Sequence, residues 1–442
     1  MELGRTLMSL RKRRWSRGAR ALLFAAAAVQ TAPAVAIVVP VSTAPQLIAA
    51  IDAAAPGHVI TLASGTYDIG QNLNCDVAGT ANAPIVVRAA TPLGALIRFD
   101  AVEGFKVSAR HWVFENLDIR GVCADDSDCE HAFHVFGDAD FLRIRGSRVR
   151  DFNAQIKSNI TGGQFPDDVV IEGNEFADTA ARQTGNPVTK IDVVGGRRWI
   201  VRANFIHDFE KGEEDFISYA AFLKGNSRDG LFERNLVICE RDHAGGTRVG
   251  LSLGGGGSGP DSICEDGACI PEHQRGTIRN NVIVGCPEDV GIYLNSAAAT
   301  RILDNTLIAT TGIDVRWPAS SAELRNNLVS GMIRNRDGGT STQSANLTGI
   351  TLAQYQQWFA DPLAPDLALL DGSAFVDLAQ PLAAVPDDYC GRLRPPAPGN
   401  PDRGAVEYTG TVCATTAAGG GRDLFHDGFA TGGHGQWSAV AP

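Results

Sequence analysis

The run YAAFLKGN (219–226) is apolar and then ends on a single lysine, Lys224. A lysine at the end of such a strand becomes a general base when its pKa is depressed, and neighbouring cations such as Lys190, Arg228 or Arg248 can depress it. Other chemistries fit less well. Asp192 and Asp314 share a strand frame but stand four repeats apart, too far for paired-carboxylate hydrolysis. CADDSDCE (123–130) and EKGEEDF (210–216) read as solvated turns, and His207 and His243 as corner histidines. GGGG (254–257) lacks the Gly-Lys-Ser/Thr context of a phosphate loop.

The elements that must position Lys224 are legible as a repeat. VFENLDIRG holds Asn116, VIEGNEFAD Asn174, IVRANFIHD Asn204 and LFERNLVIC Asn235. TIRNNVIVG holds Asn281, ILDNTLIAT Asn305 and ELRNNLVSG Asn327; RIRGSRVRD puts Ser147 in the same frame. The intervals are 31, 27, 30, 31, 46, 24 and 22 residues. Each copy reads apolar-x-apolar, a polar corner, then apolar-x-apolar, which is two short half-buried strands. Such a period without amphipathic helices predicts an all-β solenoid, a parallel β-helix with three strands per coil. Asparagines stacked at one corner bond to the next coil and to local backbone, and tolerate left-handed backbone there.

A further strand precedes each corner: HAFHVFG (131–137), VTKIDVVG (188–195), YAAFLKGN, RVGLSLGGG (248–256), DVGIYLNS (289–296) and GIDVRWPA (312–319), with NAQIKSNI (153–160) a poorer fit. Stacked, they make a second sheet. Alternation points Lys190, Asp192, Lys224, Ser252, Tyr293, Asn295, Asp314 and Arg316 outward.

The mature domain is expected over 37–410, with repeats strongest at 105–335 and a C-terminal cap region at 336–410. LIAAIDAA predicts an N-terminal capping helix, TLAQYQQWFAD (351–361) a short helix, and PDRGAVEYTG (401–410) a last strand. The 46-residue interval carries a loop, 254–276, of the kind that gathers on a binding face. Ahead of the domain, RKRRWSRGAR, ALLFAAAAV and AVA read as a signal peptide over 1–36, cleaved after Ala36. After it, 411–442 is a Gly-rich linker and short aromatic tail. Export agrees with nine cysteines. Cys123 and Cys129, Cys264 and Cys269, Cys239 and Cys286, and Cys390 and Cys413 are the expected pairs, leaving Cys75 single.

The 442 residues are 44% hydrophobic with a net charge of -11, which argues against nucleic-acid binding and leaves room for a local basic groove. A secreted or cell-surface monomer with no stable membrane span is expected.

APGHVITLASGTYDIG and GTANAPIVVRAAT resemble the opening coils of secreted bacterial proteins of the pectate-lyase-like superfamily, which are right-handed parallel β-helices. The distant likeness within it is to polysaccharide lyase family 6, the alginate lyases and chondroitinase B. DRGAVEY is similar to an end signature of bacterial β-helix proteins, and LFHDGFATGGHGQWS to C-terminal tails of secreted ones. The resemblance implies β-elimination of an acidic polysaccharide, with Lys224 as base and Arg248, 24 residues on, near the leaving group. On the enzyme reading the groove runs along the sheet holding Lys190, Lys224, Arg248 and Arg316, with Asp192 and Asn295 as further substrate-binding candidates and Tyr293 and Trp317 stacking on sugar rings. Calcium is the cofactor it implies, but the positions matching the family's acidic ligands are Tyr219 and Ile217, with Glu213, Glu214 and Asp215 nearby. The other reading is a non-catalytic glycan-binding or structural rod at the cell surface.

Overall fold

The structure is a computed structural model that describes residues 36–408. Its strands alternate inward apolar and outward polar side chains, so each coil buries only one face of each strand and needs neighbours above and below. Stacking supplies them. Three sheets of 12, 10 and 11 strands run the length of the domain, and every pairing within them is parallel. This is a parallel β-helix. The stacked strands run from Ile37–Val41 to Leu347–Thr348, beyond both ends of the stretch in which the repeat is legible.

One inward column shows what holds it. Ile60, Val87, Phe114, Ile144, Ile171, Val201, Phe232, Ile278, Ile302 and Leu324 lie in register on successive strands of the first sheet, each fully buried. Burying one such side chain stabilises by about 1.5–3 kcal/mol, so the stack is strongly favoured and its register is hard to slip.

The corner ladder runs through Asn174, Asn204, Asn235, Asn281, Asn305, Asn327 and Asn346. Asn174 accepts from the Ser147 N–H, and from Asn204 on each side-chain oxygen accepts from the backbone N–H and the amide of the preceding rung; for Asn235 those bonds from Asn204 are both 3.1 Å. Each amide also donates to a backbone carbonyl, so the buried group is satisfied on both sides. Asn116 is not a rung. It stands one position earlier, at φ 63°, where Gly146, Gly173, Ala203, Arg234 and Asn280 are also left-handed. The rung beside it is Leu117, whose N–H meets the Ser147 hydroxyl. Left-handed backbone and the ladder therefore belong to adjacent residues, not to one asparagine.

The helix Ala44–Asp52 is capped by the Thr43 side chain and buries Leu47 and Ile51. The helix Leu352–Trp358 opens on a Thr351–Gln354 capping box. From the helix onward, Tyr355, Trp358, Phe359, Phe375 and Tyr389 join Leu236, Ile238, Val282, Val284 and Ile308 in a second core, covering the outer side of those strands of the third sheet. Residues 401–408 form no strand: Ala405 and Val406 are buried in that core, and Arg394 pairs with Glu407. On the outer side of the first sheet, arginines pair with glutamates of neighbouring strands, as in Arg145–Glu115 and Arg202–Glu172, both 2.6 Å.

Disulfides join Cys123–Cys129, Cys239–Cys286 and Cys264–Cys269, and Cys75 is buried and unpaired. Cys390 is disulfide-bonded; Cys413 lies outside the described residues, as do 1–35 of the expected signal peptide and the expected tail, 411–442. No helix among the described residues is long and apolar enough to cross a membrane.

Candidate functional site

The insertion settles on the outer face of the second sheet. Gly255 N–H donates to the Ser252 hydroxyl, and Asn295 donates to the Gly255 carbonyl at 3.0 Å. Glu272 anchors the return of the loop. It is buried and accepts from Gly225 N–H (2.8 Å), Ser258 N–H (2.5 Å) and the Ser258 hydroxyl (2.7 Å). Glu265 bonds Gly196 N–H and Arg197, and the Cys264–Cys269 disulfide closes the tip. Beneath the loop, Phe222 and Ser252 are outward-facing yet buried.

Loop and sheet enclose a cleft of about 550 Å³. Gly256, Gly257 and Glu272 line one side; Tyr293, Asn295, Arg316 and Trp317 line the other. The structure thus brings together four residues that the alternation and the resemblance singled out. Trp317 is 38% exposed at φ 75°, a left-handed conformation rare for a bulky residue. The Arg316 guanidinium lies 4.5 Å over its ring and pairs with Asp337. An aromatic face, a second aromatic and a fixed cation make a surface suited to a ring with apolar faces and an anionic substituent.

Lys224 lies at the back of this wall. It is half-buried, its ammonium donates to the Gly257 carbonyl at 3.0 Å, and it sits 4.6 Å over the Phe222 ring. Burial lowers its pKa; the charge of Lys157 lowers it further, against Asp192 and Glu272.

Three expected site residues are elsewhere. Arg248 is 1% exposed and its guanidinium is consumed by the Gly245 and Cys239 carbonyls and Glu210. It pairs in register with Ser218, six residues along the strand from Lys224, or about 20 Å. Sequence distance suited a pair; strand register separates it. Lys190 is fully buried within the strand Val188–Val194, bonded to the Phe152 carbonyl and to Asp178, which is also buried. Burial lowers the lysine pKa and raises that of Asp178. Alternation predicts direction from the sheet, not what later covers it. Asp192 is nearly buried, with Lys157 at 2.7 Å, and does not line the cleft.

A calcium site beside Lys224 does not fit. Tyr219 and Ile217 offer no carboxylate, and in the Glu213–Asp215 turn Lys211 stands 3.0 Å from Asp215 and 3.7 Å from Glu214. His207, Asp208 and Asp242 converge at another corner, but there Asp208 already accepts the N–H groups of Arg241, Asp242 and His243. Residues that the sequence reading passed over are Glu272 and Lys157. Glu272 lies in a loop with no periodicity, and Lys157 in the strand whose pattern fits the repeat least well.

No protein-family model matches the chain, and no curated protein sequence matches it. Among solved structures, pectate lyase Pel9A is similar over 81% of this chain and 90% of its own, with a TM-score of 0.56 and 14% identity. Also similar are an alginate lyase from Paenibacillus sp. str. FPU-7 (TM-score 0.43, 16% identity, 71% of this chain and 96% of that one) and a rhamnogalacturonan lyase (0.46, 12%, 71% and 86%). The likeness to Pel9A shows the fold: a pectate-lyase-like, right-handed parallel β-helix.

Proposed function

From a pectate-lyase-like β-helix with a walled cleft on its second sheet, we propose that this is a secreted protein that binds an acidic polysaccharide in the cleft and cleaves it by β-elimination. The observation that carries the reading is the convergence of Tyr293, Asn295, Arg316 and Trp317 opposite the insertion. Aromatic rings stack on sugar faces and Arg316 meets a uronate carboxylate. Three disulfides support export.

In the reaction, the neutral amine of Lys224 takes the proton from C5 of a uronate. The freed electron pair forms the C4–C5 double bond, the bond from C4 to the glycosidic oxygen breaks, and water protonates the leaving oxygen. Burial and the Lys157 charge supply the depressed lysine pKa that this step needs. With Arg248 consumed by its own partners, fixed side-chain cations neutralise the carboxylate, and Lys157 is the one near enough to act on Lys224.

The second reading, glycan binding without cleavage, is favoured by the Gly257 carbonyl occupying the Lys224 ammonium. Absorbance near 235 nm with alginate, pectate and chondroitin and dermatan sulfates separates the two. A rise abolished by Lys224→Ala supports the lyase; binding with no rise on any polymer leaves the binding reading.

A further inference from the structure

The same face carries a second charged strip outside the cleft, of which the proposed reaction draws only on Lys157. Lys106, His134, Lys157 and Asp192 are in register on four successive strands, so their side chains follow one another at about 4.8 Å. That spacing is close to the length of one pyranose residue in an extended chain. Three potential cations face two carboxylates. Glu103 is shared, pairing with Lys106 and lying 2.6 Å from His134 Nδ1, while Asp192 Oδ2 takes Lys157 at 2.7 Å. His134 Nε2 lies 2.8 Å from Asn159 Oδ1, so both ring nitrogens face acceptors. The strip is accessible: the Lys106, His134 and Lys157 side chains are 29%, 17% and 21% exposed. Phe136 packs at a tilt against His134, ring centres 4.7 Å apart, and lies under Lys106, adding an apolar ring surface.

A separate observation points to a ligand. Asp192 is 4% exposed, and its Oδ1 is buried without a hydrogen-bond partner. An ionised oxygen in that position is costly unless something donates to it, and a sugar hydroxyl is such a donor.

We propose that Lys106, His134 and Lys157, with Asp192 Oδ1, form a second subsite for the anionic groups and a hydroxyl of an acidic polysaccharide. This rests on the acidic-polysaccharide reading above. The subsite lies on the opposite side of Lys224 from the cleft: Lys106 and Arg316 are seven strand steps apart, about 34 Å. A polymer long enough to reach both is held on each side of the lysine.

The test is calorimetric titration of polygalacturonate and of alginate into the full mature chain and into Lys106→Gln, Lys106→Arg and His134→Asn, each checked by thermal melting. Lys106→Gln and His134→Asn are expected to weaken binding about tenfold each, the loss of one charge-assisted contact. Lys106→Arg is expected to bind nearly as the native chain. If the native chain binds and the folded Lys106→Gln and His134→Asn chains bind equally well, the strip is a structural ion-pair network and the subsite is overturned, while the acidic-polysaccharide reading stands on the cleft. If the native chain binds neither polymer, the two fall together.

Discussion

The Lys224 ammonium donates to the carbonyl oxygen of Gly257, 3.0 Å away and 33 residues later. This one bond joins the residue with the chemistry to the loop that walls the cleft. A base must offer its lone pair, so the Gly257 contact is the feature that substrate has to displace.

Replacing Lys224 by Ala or Gln is expected to lower the β-elimination rate at least about 100-fold, the usual worth of a positioned acid–base group. Stability should fall by no more than about 2 kcal/mol, since one hydrogen bond and one cation–π contact are lost. Initial rates at 235 nm beside denaturant melts check both. A variant that melts as the native chain and keeps full activity removes Lys224 from the reaction.

Arg248→Ala behaves differently. It leaves the Cys239 and Gly245 carbonyls without their guanidinium donor and Glu210 with His243 alone, so about 3 kcal/mol of stability is expected to go. Urea titration measures it. A loss below 1 kcal/mol, on the scale of an exposed ion pair, would contradict the buried role.

Trp317→Ala should leave the fold nearly unchanged because the indole is exposed at the cleft mouth. Glycan affinity should drop about tenfold or more from lost stacking. Quenching of tryptophan fluorescence by added oligosaccharide in the native chain, absent from the variant, is the companion signal.

Asn235→Ala breaks the ladder at its middle, leaving the Asn204 amide and the Asn281 oxygen each short of a partner. A cost of about 1–3 kcal/mol is expected. Asn116→Ala loses no rung, only the residue best suited to left-handed backbone, and should cost about 1 kcal/mol. Equal costs in paired denaturant melts would mean the ladder adds nothing beyond corner geometry.

Acid should destabilise the N-terminal half in two stages. Burial holds the His131 pKa down to about 4, so it favours folding above pH 6.5 and that contribution is lost as the pH falls from 6.5 to 4. The His134 hydrogen bond holds Glu103 down to about 2; its contribution is present above pH 4.5 and lost as the pH falls from 4.5 to 2. Glu103→Gln should reduce the lower stage, to which Glu175 also contributes, and spare the upper one in melts across pH 2–7.

Sequence alone determined the architecture. Period-two alternation and a recurring corner are local properties, repeated often enough that the stacked strands, the rungs from Asn174 to Asn327 and the three described cysteine pairs were all readable from spacing. The outward column of the second sheet was readable too, and with it Tyr293, Asn295 and Arg316. Burial by distant segments was not. Asp178 and the Phe152 carbonyl enclose Lys190, Glu210 and Cys239 consume Arg248, and only strand register shows that Arg248 and Lys224 lie at opposite ends of adjacent strands. Of the last strand expected over 401–410, the described part, 401–408, forms no strand: Ala405 and Val406 are drawn into an apolar core built by distant segments. The wall of the cleft comes from a loop whose course depends on Glu272 reaching Gly225 N–H, 47 residues back. Alternation says which way a side chain leaves its sheet; only the tertiary structure decides what meets it there.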